Sequence, residues 1–271
     1  MVADILTALL VVAVIGVVAG ILLAVASHFF KVEENETVKK VREALPGANC
    51  GACGYAGCDS YAEAVANGKA EPNLCIPGST SVAQQLSEIL GVAVETEEPK
   101  VAFVTCNGNC DATSNKAIYD GLDGCNSSKM LYGGPATCVF GCIGCGDCAE
   151  ACPVDAICVY GTLAHVDPRI CIGCGKCAKT CAKGIIKMIP KSAKTVVMCS
   201  NSEKGAVARK NCKNACIGCK KCQLNCPEKA ITVENNFAII DQDKCNGCGL
   251  CVENCPTKCI KTVDFANGRI G

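Results

Sequence analysis

The sequence predicts an α+β chain in three parts: an N-terminal transmembrane helix, a small four-cysteine domain, and two tandem cysteine-rich units. Three observations predict it. Residues 5–26 run 22 positions without a charged side chain. Cysteine accounts for 28 of the 271 residues. Four cysteine runs of one spacing recur in the second half, and the step from Cys142 to Cys171 equals that from Cys216 to Cys245. Composition excludes other classes. Lys+Arg and Asp+Glu are 26 each, so no basic excess is available to neutralise phosphates and nucleic-acid binding is not expected. Trp is absent and aromatics make up 4%, which removes base-stacking platforms and bulky core fillers.

Residues 1–30 are expected to form a membrane anchor. Thr7 is the single polar side chain in the run from Ile5 to Ala26. A helix of that length reaches about 33 Å, enough for a hydrocarbon core of roughly 30 Å. The competing reading is a signal peptide cleaved after Ala24-Val25-Ala26. Against it, Asp4 precedes the run and no Lys or Arg does. Lys31, Lys39, Lys40 and Arg42 follow, which favours a single pass with the C-terminal part in the cytoplasm. His28, Phe29 and Phe30 suit the headgroup interface.

Residues 31–92 hold the first cysteine set. Leu45-Pro-Gly-Ala-Asn-Cys50-Gly-Ala-Cys53-Gly-Tyr-Ala-Gly-Cys58 has C-x2-C-x4-C spacing, and Cys75 follows. Gly51, Gly54 and Gly57 allow tight wrapping and turn backbone N–H groups toward thiolate and sulfide charge. Iron–sulfur is the favoured occupant and zinc the rival. A helix through Ala62, Ala64, Val65 and Ala66 should end at Gly68, and another should run from Ser79-Thr80-Ser81, with Gln84, to Gly91. Glu95, Glu97, Glu98 and Pro99 read as a solvated linker.

Residues 93–137 are expected as a separate middle segment. An apolar strand, Val101 to Thr105, precedes Cys106, Cys110 and Cys125, and Cys138 follows at the next boundary. Cys106, Cys110, Cys125 and Cys138 are the favoured ligands of a further centre. The strand-then-Cys pattern recurs as Thr195-Val-Val-Met-Cys199, and Cys138-x3-Cys142 recurs as Cys212-x3-Cys216. A mixed site including Cys199 or Cys212 therefore stays open, as does an inert thiol cluster.

The C-terminal half divides into 138–190, a linker or docking strip at 191–211, and 212–271. The strip's Lys191, Lys194, Lys204, Arg209 and Lys210 read most simply as a solvated face. Each flanking unit carries C-x2-C-x2-C-x3-C twice, with Pro after the fourth Cys except at Ala182. Three thiolates at that spacing wrap one cubane, and the fourth Cys ligates the other cluster of the pair. Cys142, Cys145, Cys148 and Cys181 should hold one [4Fe–4S] cluster, and Cys171, Cys174, Cys177 and Cys152 its partner. Cys216, Cys219, Cys222 and Cys255 should hold a third, and Cys245, Cys248, Cys251 and Cys226 a fourth. Zinc prefers four ligands from two C-x2-C pairs, and disulfides give no reason for the period. The repeat aligns Cys158 with Thr232 and Cys259 with Ile185, so both read as packing positions. His165, in an alternating strand from Leu163 to Val166, reads as structural.

The four runs match the bacterial signature, so residues 138–262 resemble two 2[4Fe–4S] ferredoxin domains in series. The Cys50 quartet resembles the four-cysteine [4Fe–4S] domain of membrane electron-transfer subunits and some corrinoid proteins. Together with the apolar run, the 45–55 motif makes the whole chain similar to the family of the B component of the Rnf complex. That resemblance implies a translocase, a ferredoxin:NAD+ oxidoreductase that couples electron transfer to Na+ or H+ movement. It implies reduced ferredoxin as donor, integral-membrane and flavin-carrying subunits as partners, and the cell membrane as location; the cysteine spacing itself gives five [4Fe–4S] clusters as cofactors, with the middle set as a sixth. The second ferredoxin pair and the middle set depart from the family's simpler form. No nucleotide motif, Ser-His-Asp set or H-E-x-x-H occurs, so no catalytic residue and no complete active site is expected on this chain alone. The alternatives are a ferredoxin-like subunit of a hydrogenase or formate-linked complex, and a zinc-binding or metal-storage protein.

Overall fold

In a computed structural model of the chain, residues 10, 13–23, 25, 35–93 and 98–270 are described. Residues 13–23 are helical, with Val14, Ile15, Val18 and Leu22 exposed. No helix among the described residues is long and apolar enough to cross a membrane. The rest of the expected span lies outside the described residues, as do His28, Phe29, Phe30, Glu95 and Glu97.

Three helices build the first unit: α1 (Glu36–Ala44), α2 (Cys58–Ala66) and α3 (Ser79–Leu90). Asn35 starts α1 by accepting the Thr37 N–H at 3.0 Å, which satisfies an end donor. After α2, Gly68 takes a positive φ and its N–H returns to the Val65 carbonyl. Gly91 closes α3 in the left-handed conformation. The apolar faces meet around Val41, Tyr61, Val65 and Leu86. The Tyr61 hydroxyl donates to the Glu71 carbonyl at 2.8 Å and accepts the Leu74 N–H at 3.2 Å. Those two bonds pin the loop that delivers Cys75.

Two units of one plan follow. In the first, β1 (Lys100–Val104) pairs antiparallel with β4 (Ile186–Pro190), and β2 (Ile157–Tyr160) forms a hairpin with β3 (Leu163–Val166). Between them lie α4 (Cys125–Met130), α5 (Asp147–Glu150) and α6 (Lys176–Thr180). In the second, β5 (Thr195–Val197) pairs with β8 (Ile260–Asp264), and β6 (Ile231–Glu234) with β7 (Phe237–Ile240). Its helices are α7 (Gly205–Asn211), α8 (Lys221–Leu224) and α9 (Leu250–Glu253), and β9 (Arg269–Ile270) adds to β8. These pairings cross the expected boundaries. β1 comes from the stretch expected as a middle segment, and β5 from the stretch expected as a linker. Each supplies an edge that the local hairpin cannot provide.

Strand alternation then joins the two units. Ala102 and Val104 of β1 face the core of the first unit, with Ile157, Leu163 and Ile186. Val101 and Phe103 face the other way, against Val196, Val263 and Phe265 of the second. The Phe103 and Phe265 rings meet edge-on with centroids 6.2 Å apart. His165 is exposed on β3, opposite Cys158, which is also exposed. Cys158 therefore does not pack in the core: it falls on the solvent face of its hairpin.

Gly144 and Gly218 occupy equivalent places in the two units. Both have positive φ, at 87° and 63°. A Cβ on Gly144 would lie 2.7 Å from the Thr162 carbonyl oxygen, and one on Gly218 2.9 Å from that of Asn236. Left-handed strain alone costs about 1–2 kcal/mol, and the backbone clash adds to it. Gly144→Ala and Gly218→Ala are each expected to lower the unfolding midpoint of the loaded protein by several degrees, read by thermal denaturation under anaerobic conditions. An unchanged midpoint would show that the hairpins yield freely.

Candidate metal centres

All 28 cysteines are free thiols. Asn49 sets the geometry of the N-terminal quartet: it holds a positive φ, and its Oδ1 accepts the Cys58 N–H at 2.8 Å. That bond ties the start of the Cys50 loop to the first residue of α2. Cys50, Cys53 and Cys58 are all electrostatic neighbours of Cys75. Burial pushes the Cys75 thiol up, partly offset by the Gly78 N–H it accepts.

The two units gather their thiols in crossed sets. Cys148 lies among Cys142, Cys181 and Cys125, while Cys177 lies among Cys171, Cys174 and Cys152. In the second unit Cys222 lies among Cys216, Cys219 and Cys255, and Cys251 among Cys245, Cys248 and Cys226. Each central Cys sits on a one-turn helix that begins from a left-handed residue: Gly146, Gly175, Lys220 or Gly249. Desolvation dominates their thiol pKa values, pushing Cys148 up to about 12 and Cys177, Cys222 and Cys251 to about 11.

Backbone donors face these sulfurs. Cys142 Sγ accepts the N–H groups of Ala164 and Gly144, and Cys216 Sγ accepts those of Gly218 and Ala238. The pattern is the same in both units. Donors of this kind stabilise a thiolate, which is the form a metal binds. The thiols whose pKa burial raises, Cys148, Cys177, Cys222 and Cys251 among them, stay protonated without a metal. Loading must therefore displace protons, and the donors lower that cost.

Two extra cysteines stand beside crossed sets. Cys259 is fully buried, with its Sγ 3.6 Å from Cys255 Sγ. Cys259 is hydrogen-bonded to Cys216 and Cys255, which holds the pKa values of those two down, while that of Cys259 itself is raised. Cys125 lies against Cys145, and its N–H is bound by the Asp147 carboxylate at 2.8 and 2.9 Å.

The middle set is where the structure departs from the favoured sequence reading. Cys106 and Cys138 come together, but with Cys199 and Cys212 rather than with Cys110 and Cys125. All four line one cavity between the units. A Cβ on Gly108 would stand 3.5 Å from the sulfurs of both Cys106 and Cys212. Cys110 is exposed, its N–H on the Gly161 carbonyl at the β2–β3 turn. Cys199 and Cys212 are the alternative that the sequence leaves open, through the repeated strand-then-Cys pattern at Cys199 and the repeated C-x3-C at Cys212.

The sets also adjoin one another. Cys50 is an electrostatic neighbour of Cys174, across an interface where Gly173 meets Ile76 and the Lys100 carbonyl. Among the described residues, no three His, Cys, Asp or Glu side chains converge as closely as a single metal ion needs. A cubane carries an iron at each ligand position, so its thiolates stand wider apart than those around one ion. Four-thiol sets with backbone donors suit that group.

Comparison with known proteins agrees with this chemistry. An Fe-S cluster family matches residues 45–77, and a 4Fe-4S dicluster domain matches twice, at 141–185 and 208–262. The chain is 42% identical over 232 residues to the B component of the Na(+)-translocating ferredoxin:NAD(+) oxidoreductase complex of Acetobacterium woodii, covering 85% of this chain and 70% of that one. It is 42% identical over 236 residues to the proton-translocating counterpart of Clostridium ljungdahlii, covering 86% and 83%. The B component of the ion-translocating oxidoreductase complex of Methanosarcina acetivorans is 37% identical over 235 residues, covering 86% and 89%.

Proposed function

The chain belongs to the B-component family of ion-translocating ferredoxin:NAD+ oxidoreductases, the Rnf complexes, and we propose that it takes electrons from reduced ferredoxin and delivers them toward the membrane. It is an iron–sulfur subunit of an oxidoreductase complex, with other subunits of that complex as partners. The five thiol sets read from spacing, the Cys50 quartet and the four crossed sets, are its cluster ligands in this proposal. Loaded with [4Fe–4S] clusters, these sets supply one-electron centres along the chain. The observation that carries the reading is the approach of the N-terminal quartet to the first ferredoxin unit, where Cys75 and Cys174 line one cavity and Cys50 is an electrostatic neighbour of Cys174. The uncharged run from Ile5 to Ala26 supports an N-terminal anchor, with the soluble part in the cytoplasm. Flavin and NAD sites then belong to partner subunits. Coupling to Na+ or H+ movement belongs to the assembled complex.

Charge distribution points to where the donor docks. Residues 204–229 expose Lys204, Arg209, Lys210, Lys213, Lys220, Lys221 and Lys229, against Glu228 alone. The equivalent stretch of the first unit, 130–155, has no basic residue and carries Asp147, Glu150 and Asp155. The same stretch of one fold carries opposite charge in the two units, so the basic face is not a requirement of folding. Cys219 is exposed at its centre, beside Lys220 and Lys221. An acidic electron carrier is steered to such a face.

Lys220→Glu/Lys221→Glu is expected to raise the KM for reduced ferredoxin about tenfold or more and to flatten its dependence on ionic strength. Glu150→Lys on the first unit should leave KM within about twofold. Steady-state NAD+ reduction by the assembled complex at several salt concentrations reads both. Equal effects on the two faces would place the donor elsewhere.

A further inference from the structure

We infer that Cys106, Cys138, Cys199 and Cys212 hold a sixth [4Fe–4S] cluster, one that bridges the two ferredoxin units. This inference rests on the reading of the flanking crossed sets as cluster sites. Its own basis is different: a thiol set that no short motif encodes, drawn from four separate segments.

The four sulfurs have a shared environment. Cys106, Cys138 and Cys212 are buried, and Cys199 is partly buried. Cys138 is an electrostatic neighbour of each of the other three. Small residues, Ala112, Ala208 and Ala215, pack around Cys138 and Cys212. A Cβ on Gly141 would stand 3.6 Å from Cys106 Sγ and 3.7 Å from Cys138 Sγ, so bulk is kept away from the sulfurs.

Every sulfur in the set accepts an N–H. Cys106 takes those of Gly108, at 3.4 Å, and Cys142. Cys199 takes those of Asn201, at 3.5 Å, and Cys216, at 3.2 Å. Cys212 takes that of Asn214. Cys138 faces the side-chain amide of buried Asn201 at 3.6 Å, and Glu203 accepts from that same nitrogen at 3.2 Å. A merely packed thiol needs no such donors, since a small apolar side chain would fill the space without them. Donors aimed at all four sulfurs are what an anionic cluster needs in a site closed to water.

The duplication gives the set its symmetry. Cys106 and Cys138 of the first unit correspond to Cys199 and Cys212 of the second. In each unit, the N–H of the first cysteine of the first run (Cys142 or Cys216) bonds to a bridging sulfur. Each half contributes two thiols, and neither half can complete the site alone. The site is also bonded directly to both neighbouring crossed sets. The Cys50 quartet meets the first unit at Cys174, and this bridge meets both units, so the sets form one unbroken row.

The test compares two double variants of the full chain, purified anaerobically, by iron and acid-labile sulfide content. Wild type is expected to carry about 24 iron atoms. Cys199→Ser/Cys212→Ser should lose about four iron and four sulfide. Cys110→Ser/Cys158→Ser, at two exposed cysteines, should lose none. The reverse pattern, or equal iron in wild type and the first variant, overturns the inference. A wild type with crossed sets empty of iron overturns the reading beneath it as well. Should the double variant fold poorly, Cys212→Ser alone is read in the oxidised protein. A new [3Fe–4S]-type paramagnetic signal beside unchanged signals from the other centres supports the bridge, and its absence contradicts it.

Discussion

Cys50→Ala or Cys53→Ala in the assembled complex is expected to cut ferredoxin-dependent NAD+ reduction at least about 100-fold. Loss of an outer partner of a metal ligand already costs about 10- to 100-fold, and removing the ligand itself costs more. The position of the quartet makes the effect large. It meets the first ferredoxin unit at the cavity that Cys75 and Cys174 both line, and it precedes every other thiol set along the chain. No second route from the ferredoxin units toward the N-terminus is evident among the described residues. Reduced ferredoxin should still bleach the visible absorbance of the remaining centres in these variants. Electrons would thus enter and stop. Full NAD+ reduction by a variant shown to lack that cluster would remove the quartet from the route.

Stripping iron and sulfide is expected to abolish the cooperative unfolding of residues 98–270. Their cores are built partly of the ligands. The first unit's buried cluster includes Cys106, Cys148 and Cys177, and the second's includes Cys216, Cys222, Cys251 and Cys259. Strands are two to five residues long, so little apolar surface remains to offset chain entropy. Four buried thiols without a metal replace bonds to iron with weak contacts, and binding energy at such sites is folding energy. The helical domain differs, because Val41, Leu45, Tyr61 and Leu86 close its core without thiols at the centre. Circular dichroism after anaerobic chelation should therefore show residual helix with no cooperative transition. A transition like that of the loaded protein would mean that the strands hold themselves.

The difference between these two regions also explains what could be read from sequence. Short spacing encodes local geometry: C-x2-C-x2-C wraps within one turn of chain. Gly68 and Gly91 end helices because only their left-handed backbone closes the last turn cheaply. The crossing of each fourth Cys to the partner set follows from the same local rule. Nothing local encodes β1 with β4 or β5 with β8, since both pairs join residues far apart in the chain. Those pairings are what carry Cys106 and Cys199 to one cavity. Cys110 and Cys125 are closer to Cys106 and Cys138 in sequence than Cys199 and Cys212 are, yet they are held elsewhere. Cys110 is fixed by the Gly161 carbonyl and Cys125 by the Asp147 carboxylate. The duplication signal at Cys199 and Cys212 was present in the sequence, and the fold gives it meaning. Cys158 shows the opposite limit: tolerance of Thr at the matching place signals a strand position but not which face it occupies.

The central claim is that the thiols are ligands of iron and sulfide. Anaerobic purification of the full chain, followed by paired iron and acid-labile sulfide assays with an EPR-monitored reduction, tests it most directly. Iron and sulfide in equal amounts, at no fewer than about 20 of each per chain, with brown absorbance bleached by dithionite and paramagnetic signals appearing on reduction, is the result expected. A colourless protein carrying zinc without sulfide would contradict it.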